Sequence, residues 1–228
     1  MSVISELERV KKNLKEKQLL IFDFDGVLVD SNSIKGDMFA KIYEPYGKKI
    51  ENLVRNHHLS NGGMSRFEKF TYYHKNFLGK ELTPVELNQI CDQFSSLVVN
   101  KVVNSNEISG ANDFVKNAYH EGKLCFINSA TPTNELREIV IKRGLESYFT
   151  GLYGSPFSKV DNLKEILKAH SVDSNQCVFF GDALSDLKAA QYFSIDFIGV
   201  GKSIVNLLEK KKGSWFVLKN FKEYNNGA

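Results

Sequence analysis

The sequence predicts an α/β protein: a doubly wound parallel sheet, Rossmann-like in its alternation, interrupted once by an all-helical insert. Three observations carry that prediction. The short apolar runs "LLIFDFD", "KLCFINSA", "FTGLYGS", "CVFFGD", "DFIGVG" and "WFVLKN" have strand length, and most end in Gly, Ser or Asp. From about residue 106 they alternate with segments of helical period, as a parallel sheet covered on both faces requires. Between about 33 and 105 that alternation stops, and helical segments follow one another with no strand between them.

In chain order, "MSVISELERVKKNLKEKQ" is too polar for a signal peptide, and its Ile4, Leu7, Val10 and Leu14 recur at helical spacing. They predict a short amphipathic helix leading into the first strand, which Asp23 and Asp25 close. In "SIKGDMFAKIYEPYG" the four-residue spacing of Ile34, Met38 and Ile42 predicts a helix, ended at Glu44 and Pro45. "RFEKFTYYHKNFLG" puts Phe67, Phe70, His74 and Phe77 on one side. "TPVELNQICDQFSSLVVNKVV" opens with Thr83, Pro84 and Glu86, which suit N-cap, first-turn and capping-box positions. Its Leu87, Ile90, Phe94, Leu97 and Val98 continue the stripe.

The α/β rhythm resumes near Ile108. "ANDFVKNAYHEG" places Phe114, Ala118 and Tyr119 on one face and stops at Gly122. In "TPTNELREIVIKRG" Thr131 is available as N-cap, Pro132 as the first helical residue and Gly144 as the stop. "KVDNLKEILKAH" lines up Val160, Leu163 and Leu167, and Trp215 with Phe216 predicts a final edge strand. The expected organisation is a core of residues 1–32 and 106–228 with a helical domain of 33–105.

Composition narrows the function classes. With 42% hydrophobic and 25% charged residues the chain reads as an ordinary globular protein. A net charge of +3 is too small to argue for nucleic acid, and no basic run is interleaved with aromatics. The lysines of "EKKKG" read as a solvated face. No apolar run approaches membrane-spanning length. Cys91, Cys125 and Cys177 are odd in number and set in apolar surroundings, hence reduced core cysteines. These features predict a cytoplasmic protein with neither nucleic-acid nor membrane partner; its oligomeric state stays open.

In a parallel α/β sheet the carboxyl ends of the strands lie along one edge, where ligands bind. Asp23 and Asp25, Ser129, Lys159, Asp182 and Asp186 all fall at such ends or at the helices that follow them. Residues distant in sequence therefore converge on one crevice. Carboxylates with no His or Cys among them make a hard oxygen site suited to Mg²⁺. A lysine and a serine hydroxyl add what a phosphate oxygen needs. A carboxylate can attack phosphorus, provided cations offset the repulsion between two anions. A second carboxylate two residues on can protonate the leaving oxygen and then activate water.

"DFDGVLVDS", "INSATP", "GSPFSK" and "GDALSD" resemble the four ordered motifs of the haloacid dehalogenase superfamily, phosphatase branch. The resemblance spans most of the core. It implies Asp23 as nucleophile, Asp25 as general acid/base, and Ser129 and Lys159 as phosphate holders. It further implies Mg²⁺ ligation by Asp23, the Asp25 backbone carbonyl and Asp182, with Asp186 supporting directly or through water. An insertion just after the first motif resembles the helical cap of the phosphoglycolate phosphatase and β-phosphoglucomutase subgroup. Dehalogenases and phosphonate hydrolases of this superfamily lack the Asp25-type carboxylate, so the expected activity is hydrolysis of a small phosphorylated metabolite, such as a sugar phosphate or sugar-acid phosphate.

Within the insert, "RNHHLSNGGMSRFEKF" offers substrate-contacting candidates. Gly62 and Gly63 suggest close backbone approach, Arg66 a bidentate clamp, and His57 and His58 polar contacts; the alternative is a helix start capped by Ser65 with Arg66 solvated. Two other functions use the same residues: a sugar phosphomutase, and a phospho-accepting signalling module without turnover.

Overall fold

The computed structural model describes residues 3–208 and 216–225. A helix α1 (Val3–Lys15) leads into β1 (Leu19–Phe22). Five helices precede the next strand, and the first four make up the insert: α2 (Asn32–Ile42), α3 (Lys48–Ser60), α4 (Arg66–Tyr73) and α5 (Pro84–Val103). The remainder alternates: α6 (Ala111–His120), β2 (Leu124–Pro132), α7 (Thr133–Lys142), β3 (Gly151–Ser155), α8 (Lys159–His170), β4 (Cys177–Gly181), α9 (Leu184–Tyr192), β5 (Asp196–Val200), α10 (Lys202–Leu208), β6 (Phe216–Leu218) and α11 (Phe221–Asn225).

The strands form one parallel sheet in the order β3-β2-β1-β4-β5-β6. The chain winds outward from β1 to β3, then crosses back to β4 and winds the other way. The crevice between β1 and β4 is therefore the topological switch point, where such sheets hold ligands.

Both faces of the sheet are buried, which the alternation within single strands shows directly. Leu20 and Phe22 join one apolar cluster with Phe114, Leu136 and Phe180, while Leu19 and Ile21 join another with Phe126, Leu163, Phe179 and Leu187. Every residue of β1 and β4 is consequently apolar or glycine, the pattern of doubly covered parallel strands. The first cluster continues into the helical insert through Phe39, Tyr43, Phe70, Tyr73 and Phe94. Cys91, Cys125 and Cys177 are buried free thiols.

Several sequence expectations shift in the structure. α3 was not foreseen, so His57 and His58 ride on a helix. On α2 the most deeply buried residues are Lys35, Gly36, Phe39 and Ala40, with Phe39 stacked on Phe94, while Met38 and Ile42 of the predicted stripe pack half-buried against the same core. Tyr119 is exposed, and α6 buries Ala111, Phe114, Val115 and Ala118 instead. Thr131 and Pro132 belong to β2, and α7 starts at Thr133. Asp23 and Asp25 lie past the end of β1. Phe216 opens the edge strand β6, whereas Trp215 and "EKKKG" lie outside the described residues.

Candidate active site

Strand register assembles the site. Phe22 pairs with Ile127 on one side and Phe180 on the other, so the next residue of each strand path meets at the sheet edge. The Asp23 amide donates to the Phe180 carbonyl at 2.9 Å, which seats its carboxylate between the ends of β2 and β4. Asp182 follows β4 directly, and Ser129 lies one step beyond the residue beside Asp23.

Asp23, Asp182 and Asp186 each bring a carboxylate oxygen to within 4.8 Å of the others. Lys159, first residue of α8, reaches into this group, 2.8 Å from Asp23 and in direct contact with Asp186. Lys164, further along the same helix, is exposed. The remaining oxygens are held by fixed donors: Phe24 N–H to Asp23 at 2.7 Å, Ala183 N–H to Asp186 at 3.0 Å and Asn32 Nδ2 to Asp182 at 2.7 Å.

One lysine cannot neutralise three carboxylates. Burial pushes Asp23 up to about 7, against the pull of Lys159, and Asp186 and Asp25 push it further. Burial, together with Asp23 and Asp186, also holds Asp182 well above the usual carboxylate range. Lys159 is raised despite its burial, since Asp186 and Asp23 hold its proton. A hard divalent cation fits this donor set: oxygen ligands only, excess negative charge, and restricted water. The backbone leaves room for it. Gly26, at φ +78°, lies where a Cβ would fall 2.1 Å from Asp182 Oδ2 and 2.4 Å from Asn32 Nδ2.

Asp25 has the opposite environment. Its carboxylate accepts from Ser31 Oγ at 2.5 Å, Lys35 Nζ at 2.6 Å and Thr131 Oγ1 at 3.0 Å. Burial would raise it, but Lys35 and these hydrogen bonds prevail and hold it below its ordinary value. Ser129 is buried beside it; its Oγ accepts from the Thr131 amide at 3.1 Å, leaving the hydroxyl proton to donate into the cavity.

The helices α2–α5 close over this floor. Gly63 (φ +78°) approaches Ser185 so closely that a Cβ would fall 1.9 Å from Oγ, and a Cβ at Gly62 would fall 3.2 Å from that of Ala183. Arg66 opens α4 behind a Ser65–Glu68 capping box, but it is not solvated. Its guanidinium forks onto Glu135 of α7, with one N–H to Oε2 at 2.7 Å and the other to Oε1, donates to Ser95 at 2.6 Å and lies over the Phe94 ring. Burial favours a protonated Glu135, yet Arg66 holds its carboxyl below the usual range. His58 faces the cavity with Arg66, Gly62 and Gly63, whereas His57 stacks on Tyr72 at 4.1 Å and points into the aromatic layer of the helices.

A family model described as haloacid dehalogenase-like hydrolase matches residues 20–200. The chain belongs to that family. None of the curated proteins compared with it matches. Among solved structures, a predicted phosphoglycolate phosphatase from Haemophilus somnus 129PT superposes with a TM-score of 0.70 at 18% identity, covering 92% of this chain and 97% of that one. β-Phosphoglucomutase from Clostridium difficile gives 0.70 at 17% identity, covering 92% and 98%. A variant of CbbY from Rhodobacter sphaeroides, in complex with xylulose-1,5-bisphosphate, gives 0.71 at 18% identity, covering 91% and 96%. At these identities the likeness is one of fold.

In this haloacid dehalogenase-like hydrolase the sequence reading missed Lys35, Lys69, Asn32, Thr131 and Glu135, all lining or bracing the cavity. Lys35 carried a usable signal, since it is a lysine one helical turn past Ser31 on a segment leaving the Asp23–Asp25 turn. The others depend on how α2, α4 and α7 pack, which no local pattern reports. Among the described residues no helix is long and apolar enough to cross a membrane.

Proposed function

We propose that this chain is a Mg²⁺-dependent phosphatase that hydrolyses a small phosphorylated metabolite through an aspartyl-phosphate on Asp23. One observation carries the reading: Asp23 and Asp25, two residues apart, occupy opposed electrostatic environments on either side of one cavity. In the free protein the split runs opposite to the assigned roles, and the two incoming charges invert it: a cation on the floor lowers Asp23 into a nucleophile, and a phosphate beside Asp25 raises it into an acid.

Asp23, the Asp25 backbone carbonyl, Asp182 and Asp186 would hold Mg²⁺. When bound, the ion supplies positive charge that keeps Asp23 ionised and offsets the charge of the phosphoryl group. Asp23 Oδ, fixed by the Phe24 amide and Lys159, then attacks phosphorus, while Lys159 and the Ser129 hydroxyl bind the phosphoryl oxygens. Asp25 is ionised in the free protein, and the charge of an entering phosphate raises its affinity for the proton it gives to the leaving oxygen. Once the alcohol departs, Asp25 takes a proton from water, which hydrolyses the aspartyl-phosphate. The closed helical layer limits competing water.

The test is phosphate release from a panel of phosphorylated metabolites with Mg²⁺ or with EDTA, for wild type and Asp23→Asn. Release that needs Mg²⁺ and vanishes in the variant supports the reading. Isomerised sugar phosphates in place of free phosphate would make the chain a mutase, and stable phosphorylation of Asp23 without product would make it a signalling module.

A further inference from the structure

Three cations line the cavity beneath the helical layer: Lys35, Arg66 and Lys69. Two of them are committed. Lys35 bridges Asp25 and Thr131, and Arg66 is clasped by Glu135 and Ser95. Lys69 differs. It is 3% exposed, and among the described residues its only polar partner is His58 Nδ1 at 3.0 Å. An ammonium has three N–H donors, so two of them are left without a hydrogen-bond acceptor; the Phe39 ring face, its centroid 5.5 Å from Nζ, offers only a weak cation–π contact.

The histidine is built to hold that amine in place. An ammonium can only donate, so His58 Nδ1 must be the acceptor. The Asn32 carbonyl, 3.0 Å from Nε2, can only accept, so Nε2 must carry the proton. The ring is therefore neutral and fixed at both nitrogens; burial and then Lys69 push its pKa down to about 3. Asn32 in turn donates to Asp182, so the chain Lys69–His58–Asn32–Asp182 ties the cavity roof to its floor. A buried lysine with no counter-ion costs stability, and burial, reinforced by Lys35, pulls its pKa down to about 7. Such a cost at a cavity wall points to a ligand that removes it.

We propose that Lys69 is the specificity-determining residue for the leaving group, recognising an anionic substituent on the alcohol that departs from phosphorus, whereas Arg66 serves to fasten α4 to α7. The inference rests on the phosphatase reading for its substrate class. The substituent is a carboxylate or a second phosphate, both of which accept the short charge-assisted bonds an ammonium offers.

Matched esters test it: phosphoglycerate against glycerol phosphate, which differ by a carboxylate, and fructose bisphosphate against fructose phosphate, which differ by a phosphate. The readout is the ratio of kcat/KM within each pair for wild type, Lys69→Met and Lys69→Gln. Wild type should prefer the anionic member of at least one pair. Losing one charge-assisted contact should cut that ratio by about tenfold or more in both variants. The pair that responds identifies carboxylate or phosphate. A purely structural lysine would lower both members in proportion, and an unchanged ratio overturns the proposal; so does wild type without a preference in either pair. If wild type hydrolyses none of the four, the wider panel decides the phosphatase reading, and calorimetric binding to the Asp23→Asn protein decides Lys69 separately. Preferential binding of an anionic member that Lys69→Met abolishes supports it, and equal binding overturns it.

Discussion

The floor and the roof of the cavity carry opposite imbalances. On the floor Asp23, Asp182 and Asp186 share a single lysine, and two of the three carboxyls are pushed up in consequence. On the roof side Lys35, Arg66 and Lys69 meet only two carboxylates, Asp25 and Glu135, and the lysine left over is pushed down. Each side is poor in the charge that the other has in excess, yet the two do not cancel. The space between fits a cation below and an anion above, as in a metal-bound phosphate ester. The sheet core carries no such charge imbalance: buried aromatics such as Phe22 and Phe180 stack with ring centroids 4.9 Å apart.

Removing the floor's nucleophile should break the comparison most sharply. Asp23→Asn is expected to lower kcat by at least ~10⁴-fold while leaving the folded protein as stable or more so, since it removes a buried charge among like charges. Steady-state phosphate release and a thermal melt check both halves.

The roof's satisfied pair should behave in the reverse sense. Arg66→Met strands Glu135, so it should destabilise by about 3–5 kcal/mol, seen as a fall in the denaturant midpoint. The double variant Arg66→Met/Glu135→Leu should recover much of that loss, and additive losses would argue against the clasp.

Adding the missing cation is the next test in size. Mg²⁺ at a hundred times its dissociation constant should stabilise the protein by about 2.7 kcal/mol, a rise of several degrees in Tm that Asp182→Asn reduces. An unchanged midpoint would remove the case for a metal on the floor.

Per pH unit, the smallest effect concerns Lys69. Its folded pKa lies near 7, below the ordinary 10.5, so between those values the unfolded chain binds a proton the folded one lacks. Stability should therefore rise with pH across that window, by at most about 1.4 kcal/mol per pH unit, and the penalty is complete below it. Lys69→Met should flatten the slope and stabilise the neutral protein; a variant with the same slope as wild type would contradict the assignment.

Legibility in the sequence followed the same division. The floor comes from strand ends, whose positions apolar runs such as "CVFFGD" mark, and parallel topology does the rest. The roof comes from helix faces. There α2 presents Lys35 and Phe39 inward, where Phe39 stacks on Phe94 fifty-five residues away, and the spacing of Ile34, Met38 and Ile42 gives no sign of it. Arg66 was visible as a candidate, but its partner Glu135 lies on α7, and its engagement is a tertiary fact. Tyr119 misled for the ordinary reason that an aromatic at helical spacing need not be buried.

The most direct test of the account is to trap the phosphorylated protein. Wild type is mixed with labelled substrate and Mg²⁺, quenched in acid within its first turnovers and mapped by peptide. The account predicts one acid-stable label on the peptide containing Asp23, absent with EDTA and absent when Asp23→Asn is added. Phosphate release by wild type with no labelled peptide, or with the label on another residue, would contradict it.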